Sequence, residues 1–320
     1  MGVFRNLFRS SGPARRRTAK PTLEALDQRI VLSTASASIH AVNDVNNNSA
    51  VFYINKQDHA FYERDAYYGT RQLSGPYTVQ SFSAGTDAYG YADVFVKDGA
   101  NALWEYTYWN GWRPMLSPNH TVTFAAVKGG RVFVVDDQHD LMRYSDDGSV
   151  LQYDGPGTVQ TIDAVTDNNG VDVVFAIRGD NTFGEYYGRS YAQLSGAYTL
   201  QAGFSAGLDI NGQADVYGLD GTGAFWEHNS YIGWRKLDAP GTVKAISATF
   251  NEKVEVIAAD GTLVKYDQNG TKIVQYSGST FTEISAARDN DVYTVVWDSS
   301  GWERTAGGAW TNYAAAGTML

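Results

Sequence analysis

The feature that most constrains this chain is an internal repeat. Residues 80–115, "QSFSAGTDAYGYADVFVKDGANALWEYTYWNGWRPM", align with residues 201–237, "QAGFSAGLDINGQADVYGLDGTGAFWEHNSYIGWRKL". Phe82, Gly85, Asp93, Trp104, Glu105, Trp112 and Arg113 recur 122 positions later as Phe204, Gly207, Asp215, Trp226, Glu227, Trp234 and Arg235. The likeness extends outward, with "RQLSGPYTVQ" (71–80) parallel to "AQLSGAYTLQ" (192–201) and "LMRYSDDG" (141–148) parallel to "LVKYDQNG" (263–270). Two copies of about 121 residues therefore span roughly 39–160 and 161–281. Self-similarity at a fixed period marks a repeat architecture.

Each copy divides again. A Gly or Pro followed by Tyr-Thr, Gly-Thr or His-Thr and an apolar residue recurs every 37 to 43 residues or so, giving units at about 38–79, 80–122, 123–159, 160–200, 201–243, 244–281 and 282–320. Inside a unit the pattern is of short strands, such as 79–84, 92–97, 102–108 and 112–116 in the second. Asp-Gly and Asn-Gly at 98–99, 147–148, 220–221, 260–261 and 269–270 predict tight hairpin turns with positive φ. Every unit thus reads as a four-stranded antiparallel meander. One meander of about 40 residues cannot bury both faces, so neighbours must stack, and seven of them close into a ring. Apolar runs such as "DVVFAI" (172–177) suit strands covered on both sides. The predicted fold is an all-β, seven-bladed β-propeller over 38–320. Two separate domains split near residue 160 are the rival, disfavoured because "GWERT" (301–305) echoes "FYERD" (61–65) and extends the repeat to the end.

The segment "SAGTDAYGYADVFVKDGANALWEY…GW" resembles the repeats of tectonin-like and tachylectin-2-like propellers and of bacterial fucose-binding propeller lectins. The resemblance covers residues 38–320 and is best in units two and five. Units three and six depart from it, holding Arg143-Tyr144 and Lys265-Tyr266 where others hold an aromatic and a glutamate. It implies glycan binding in clefts between blades, with an aromatic face against the sugar and polar groups on its hydroxyls. The candidate ligand contacts are Trp104 with Glu105, Trp226 with Glu227, Trp302 with Glu303, and Tyr62 with Glu63.

Strand geometry argues against that use of the pairs. Adjacent strand residues point to opposite faces, so Trp104 and Glu105 cannot line one pocket from one blade. Glu63, Glu105 and Glu227 are each followed eight positions later by Arg71, Arg113 and Arg235, so an ion pair within the hairpin is the favoured reading. Catalysis finds less support still. His40, His59, His120, His139 and His228 occupy unrelated repeat positions, no HExxH or Gly-x-Ser-x-Gly occurs, and there is no cysteine. No cofactor and no metal site is expected. Asp87 and Asp209 open Gly-containing loops that invite a calcium reading, but acceptance of backbone N–H groups in a turn is preferred.

Charge separates two regions. Residues 1–22 carry Arg5, Arg9, Arg15, Arg16, Arg17 and Lys20 with no acid; with a net charge of −10 overall, the remainder stands at −16. So acidic a body repels a phosphate backbone, which excludes nucleic acid as a partner. Within the separate segment 1–37, "LEALDQRIVLS" (23–33) resembles the N-terminal LExLExRxxLS-type motif of exported planctomycete proteins, with Asp27 where Glu is commoner. No apolar run approaches the length of a membrane span. The expectation is an exported or cell-surface, non-catalytic recognition module whose partner is a glycan. A protein-binding scaffold is the alternative, and a hydrolase on the same fold a remote one.

Overall fold

The computed structural model describes residues 39–319 apart from 47, 66, 67, 76, 196–199, 202, 250–253, 278, 279, 288–290, 306 and 307. The basic segment 1–37 and its motif lie outside the described residues. The described chain is a seven-bladed β-propeller of four-stranded antiparallel sheets, as the period implies. Blade one comprises β1 (Ile39–Asn43), β2 (Ser49–Ile54), β3 (Phe61–Asp65) and β4 (Gly69–Ser74); blade two comprises β5 (Val79–Thr86), β6 (Ala92–Asp98), β7 (Leu103–Thr107) and β8 (Gly111–Leu116). Blade three holds β9 (Thr123–Val127), β10 (Arg131–Val135), β11 (Leu141–Ser145) and β12 (Val150–Asp154), and blade four holds β13 (Val159–Thr166), β14 (Asp172–Arg178), β15 (Phe183–Tyr187) and β16 (Ser190–Ser195). The remaining blades are β17 (Ser205–Leu208) to β20 (Gly233–Asp238), β21 (Val243–Ala248) to β24 (Lys272–Tyr276), and β25 (Phe281–Ala286) to β28 (Trp310–Ala314).

Alternation along the second strand of each blade explains why the blades stack. In β6, Val94 and Val96 pack with Phe52 and Phe61 of blade one, while Phe95 between them packs with Phe124 and Val132 of blade three. Each junction repeats the scheme with its own apolar cluster, and the last joins Tyr293 and Val295 of blade seven to Ile39 and Val51 of blade one. Truncating one of these rings, such as the fully buried Phe133, would cost roughly 3–5 kcal/mol through lost burial and the cavity left behind. Outer strands such as β4 and β24 are largely exposed, having a neighbour on one edge and water on the other.

First strands meet around the centre, and a polar latch joins most of them. Ala41, Ala84, Ala126, Ala164, Ala206, Ala248 and Ala286 occupy one register position in the seven blades. The N–H of Ala84 donates to His40 Nδ1 at 3.2 Å, Ala126 to Ser83 at 3.0 Å, Ala248 to Ser205 at 3.0 Å, Ala286 to Ser247 at 3.0 Å and Ala41 to Ser285 at 2.9 Å, each in the preceding blade. Blade three has Ala125 at the acceptor position and cannot serve Ala164. Asp163 compensates with two oxygens: Oδ1 accepts from its own neighbour Ala164 and Oδ2 from Ala206 of blade five, both at 2.8 Å.

Two hairpins differ from the predicted turn. At Asp98-Gly99 and Asp220-Gly221 the left-handed residue comes two positions later, at Asn101 (φ 57°) and Gly223 (φ 81°). The turns have the same length as the others, and the aspartate opens them instead of sitting third: Asp98 Oδ1 accepts from the N–H groups of Ala100 and Ala102, and Asp220 Oδ1 from those of Thr222 and Ala224. Gly148, Gly261 and Gly270 do adopt positive φ. No helix among the described residues is long and apolar enough to cross a membrane.

Candidate functional site

In a meander, the first and third connections emerge at the same end of the blade. At that end the β5–β6 loop, the β7–β8 turn and the β11–β12 turn enclose a cleft of about 870 Å³ between blades two and three. Tyr89, Tyr91 and Trp109 are its aromatic lining. Trp109 is 61% exposed and meets Tyr91 edge-on at 5.6 Å. Tyr108 continues the aromatic surface, edge-on to Trp109 at 4.9 Å and stacked at 4.8 Å on Tyr68 of blade one. Aromatic side chains in hairpin turns have no core to fill, so their exposure reflects position rather than failed packing.

The floor is polar. Arg113 of β8 reaches across to blade three, where Nη1 donates to the carbonyl of Asp146 and Nη2 to its Oδ1, both at 2.9 Å. Its Nε donates to Oε2 of Glu105, which is fully buried. Beneath lies Asp93, also fully buried, and oxygens of Asp93, Glu105 and Asp146 lie within 4.8 Å of one another. Burial pushes the Asp93 carboxyl well above its usual range, and the charges of Glu105 and Asp146 add to the effect. Burial, with Glu105 beside it, also raises Asp146 to about 7, against the pull of Arg113. Asp87 braces the β5–β6 loop by accepting at Oδ1 from the N–H groups of Tyr89 and Tyr91 at 2.8 and 2.9 Å. Asp209 does the same for Asn211 and Gln213.

The residues singled out from the sequence lie elsewhere. None of Trp104, Trp226, Trp302, Tyr62, Glu63, Glu105, Glu227 or Glu303 lines the cleft. Trp104 and Trp226 are half-buried and donate their indole N–H to Asp98 and Asp220, each at 2.9 Å. Trp302 donates to Ser300 at 2.8 Å and packs against the junction of blades six and seven; Tyr62 donates to Asp58 at 2.7 Å and stacks on Tyr53. Opposite them, Glu63 pairs with Arg71 at 2.5 Å and Glu227 with Arg235 through contacts at 2.9 and 2.5 Å. Burial raises the Glu63 carboxyl while Arg71 opposes that rise. Glu303 faces Thr311 in the hairpin and instead accepts from Tyr293 at 3.4 Å.

The cleft was missed because its parts come from three turns in two blades. The available signal was "YWNG" (108–111), a tryptophan two residues before the hairpin glycine where no strand continues. The junction of blades five and six repeats the scaffold without the lining: Tyr231 stands for Trp109, Asn211 for Tyr89, Gln213 for Tyr91 and Gln268 for Asp146. The histidines are dispersed, as the sequence suggested: His59 stacks on Tyr77, His120 meets Asp137, His139 meets the Val159 carbonyl and His228 packs on Trp234.

No known protein-family signature and no curated protein sequence matches this chain. Solved structures do resemble it. The BP39L lectin from Burkholderia pseudomallei superposes with a TM-score of 0.66 at 15% identity, covering 89% of this chain and 99% of the lectin. A virginiamycin B lyase from Staphylococcus aureus, in a catalytically inactive form with quinupristin, gives 0.59 at 10% identity over 84% of this chain and 95% of its own. The WD40 repeats of RRP9 give 0.59 at 12% identity, covering 90% and 94%. At such identities the likeness establishes the propeller fold, which these proteins put to different uses.

Proposed function

We propose that the chain is a non-catalytic recognition module that binds carbohydrate in the cleft between blades two and three. The observation that carries this reading is Trp109, exposed at the mouth and edge-on to Tyr91, above the Arg113–Asp146 pair. A pyranose presents C–H groups on one face and hydroxyls at its rim; the indole suits the first, and the carboxylate and guanidinium suit the second. The lectin among the structural neighbours supports the same class of ligand. Asp93 and Glu105 are buried below the floor, with Arg113 above Glu105, so neither is presented to a glycosidic bond. A glycan array followed by calorimetry on wild type and Trp109→Ala tests the proposal. Sugar binding abolished by Trp109→Ala at unchanged melting temperature supports it; absence of binding across the array, or turnover of a glycoside, sinks it.

A protein-binding scaffold is the second reading, and a specific surface favours it. Tyr68, Tyr231 and Ile232 stand exposed on third-to-fourth strand turns, and Tyr187 at the last position of β15, at the same end of the ring. A pull-down that recovers a defined protein, lost on Tyr231→Ser with Ile232→Ser, would favour this role over the glycan one. In either case we infer export to the cell surface from the motif at 23–33, testable by fractionating cells that express the chain with and without residues 1–37.

A further inference from the structure

Buried charge is within one unit of balance at two blade junctions and two units out at a third. Where blade three meets blade four, the register positions of Asp93 and Glu105 are held by Arg131 and Arg143, and both face the buried Asp172 at 2.9 and 3.7 Å. Where blade five meets blade six, Asp215 accepts from Asn229 at 2.7 Å, Glu227 is held by Arg235, and Gln268 replaces the third acid. Where blade two meets blade three, Asp93, Glu105 and Asp146 share the single guanidinium of Arg113.

That guanidinium is already committed. It occupies Oε2 of Glu105 and Oδ1 of Asp146. Neither oxygen of the fully buried Asp93, nor Oε1 of Glu105, meets a hydrogen-bond donor. Oδ2 of Asp146 lies over Gly130, at the place where a Cβ would come within 1.7 Å of it, so glycine at 130 is what lets the carboxylate lean inward. A buried carboxylate without a donor is costly and is retained where a proton or a cation satisfies it. One shared proton bridges two carboxylates, whereas a cation among oxygens that all lie within 4.8 Å of one another meets all three.

We propose that Asp93, Glu105 and Asp146 form a site for a calcium-sized divalent cation, with Arg113 fixing the orientation of two of the three carboxylates. All donors are oxygens, with no histidine or cysteine among them, which selects a hard cation over zinc or copper. The carboxylates supply fewer than the six to eight oxygens such an ion takes, and Asp146, part-exposed on the cleft floor, is the side from which water completes the shell. The inference does not depend on a sugar entering the cleft.

The test uses the full chain stripped with EDTA, titrated with calcium alone by calorimetry at pH 7.5, with terbium luminescence and thermal melting in parallel. Expected are one ion per chain, a rise in melting temperature of about 3 °C at millimolar calcium, and luminescence sensitised by nearby aromatics. Asp146→Asn, at a turn and part-exposed, should keep the EDTA-state melting temperature while weakening calcium at least tenfold; Asp215→Asn, at the place in blade five that Asp93 holds in blade two, should leave calcium binding unchanged. The proposal is overturned if wild type shows neither heat nor thermal shift with calcium, magnesium or manganese. It is equally overturned if binding survives unchanged in both Asp93→Asn and Asp146→Asn.

Discussion

Glu227 and Arg235 stand directly opposite each other on neighbouring strands, and two guanidinium nitrogens reach one oxygen of a carboxylate that is 2% exposed. Removing the cation leaves a buried charge with lost compensation, which costs more than the pair itself contributes. Arg235→Met should therefore lower unfolding stability by roughly 3 kcal/mol, measured by denaturant titration. Adding Glu227→Gln in the same chain should recover part of the loss. No loss in the single variant would show the carboxylate to be solvated.

Trp226 and Trp109 make opposite predictions. Trp226→Ala removes a half-buried ring and an indole N–H bonded to Asp220, so stability should fall by about 2 kcal/mol. Trp109→Ala removes an exposed ring, and its stability should stay within about 0.5 kcal/mol of wild type. Equal effects in calorimetric melting would contradict the assignment of one to packing and the other to a surface.

Asp163 carries a load that Ala125 cannot. Asp163→Ser should still serve Ala206, as Ser205 serves Ala248, but leave the N–H of Ala164 without its acceptor, a loss of about 1–2 kcal/mol. Adding Ala125→Ser restores the acceptor from the preceding blade and should return at least half of that. A double variant no more stable than the single would refute the compensation.

His40 makes one latch pH-sensitive. Its Nδ1 accepts the Ala84 N–H, which requires the neutral ring, and burial lowers its pKa from 6.5 to about 4. Between those values the unfolded chain takes up a proton that the folded chain refuses. Stability from this group is thus complete above about pH 6.5 and is lost as pH falls towards 4, by about 2 kcal/mol. His40→Ser, which copies four of the other blades, should flatten that part of the stability profile. An unchanged profile would place the transition on other groups.

The ring was legible because period, turn residues and strand alternation are local and repeated: "DVFVK" announces a strand covered on both faces wherever it sits. Site geometry was not. Trp104 and Glu105 drew attention as neighbours in sequence, yet alternation sends one towards Asp98 and the other towards Arg113. Asp146 joins Asp93 only because consecutive blades lie face to face, a relation 53 positions long that no spacing rule reads. Ser83-Ala84, Ser205-Ala206, Ser247-Ala248 and Ser285-Ala286 were visible as repeated dipeptides, but which blade each serine serves depends on the direction of stacking.

Among the described residues the ring closes without any strand lent from one end to the other: β25 packs beside β1, Ser285 accepts from Ala41, and the 318–319 segment meets Lys56 and Asn55 through backbone contacts. Every sheet is consequently a contiguous piece of chain. Circular permutation with new ends between blades would leave all seven sheets intact and turn this seam into a covalent joint. In the native order, tension applied between β1 and β28 would load that seam first, because they belong to different sheets.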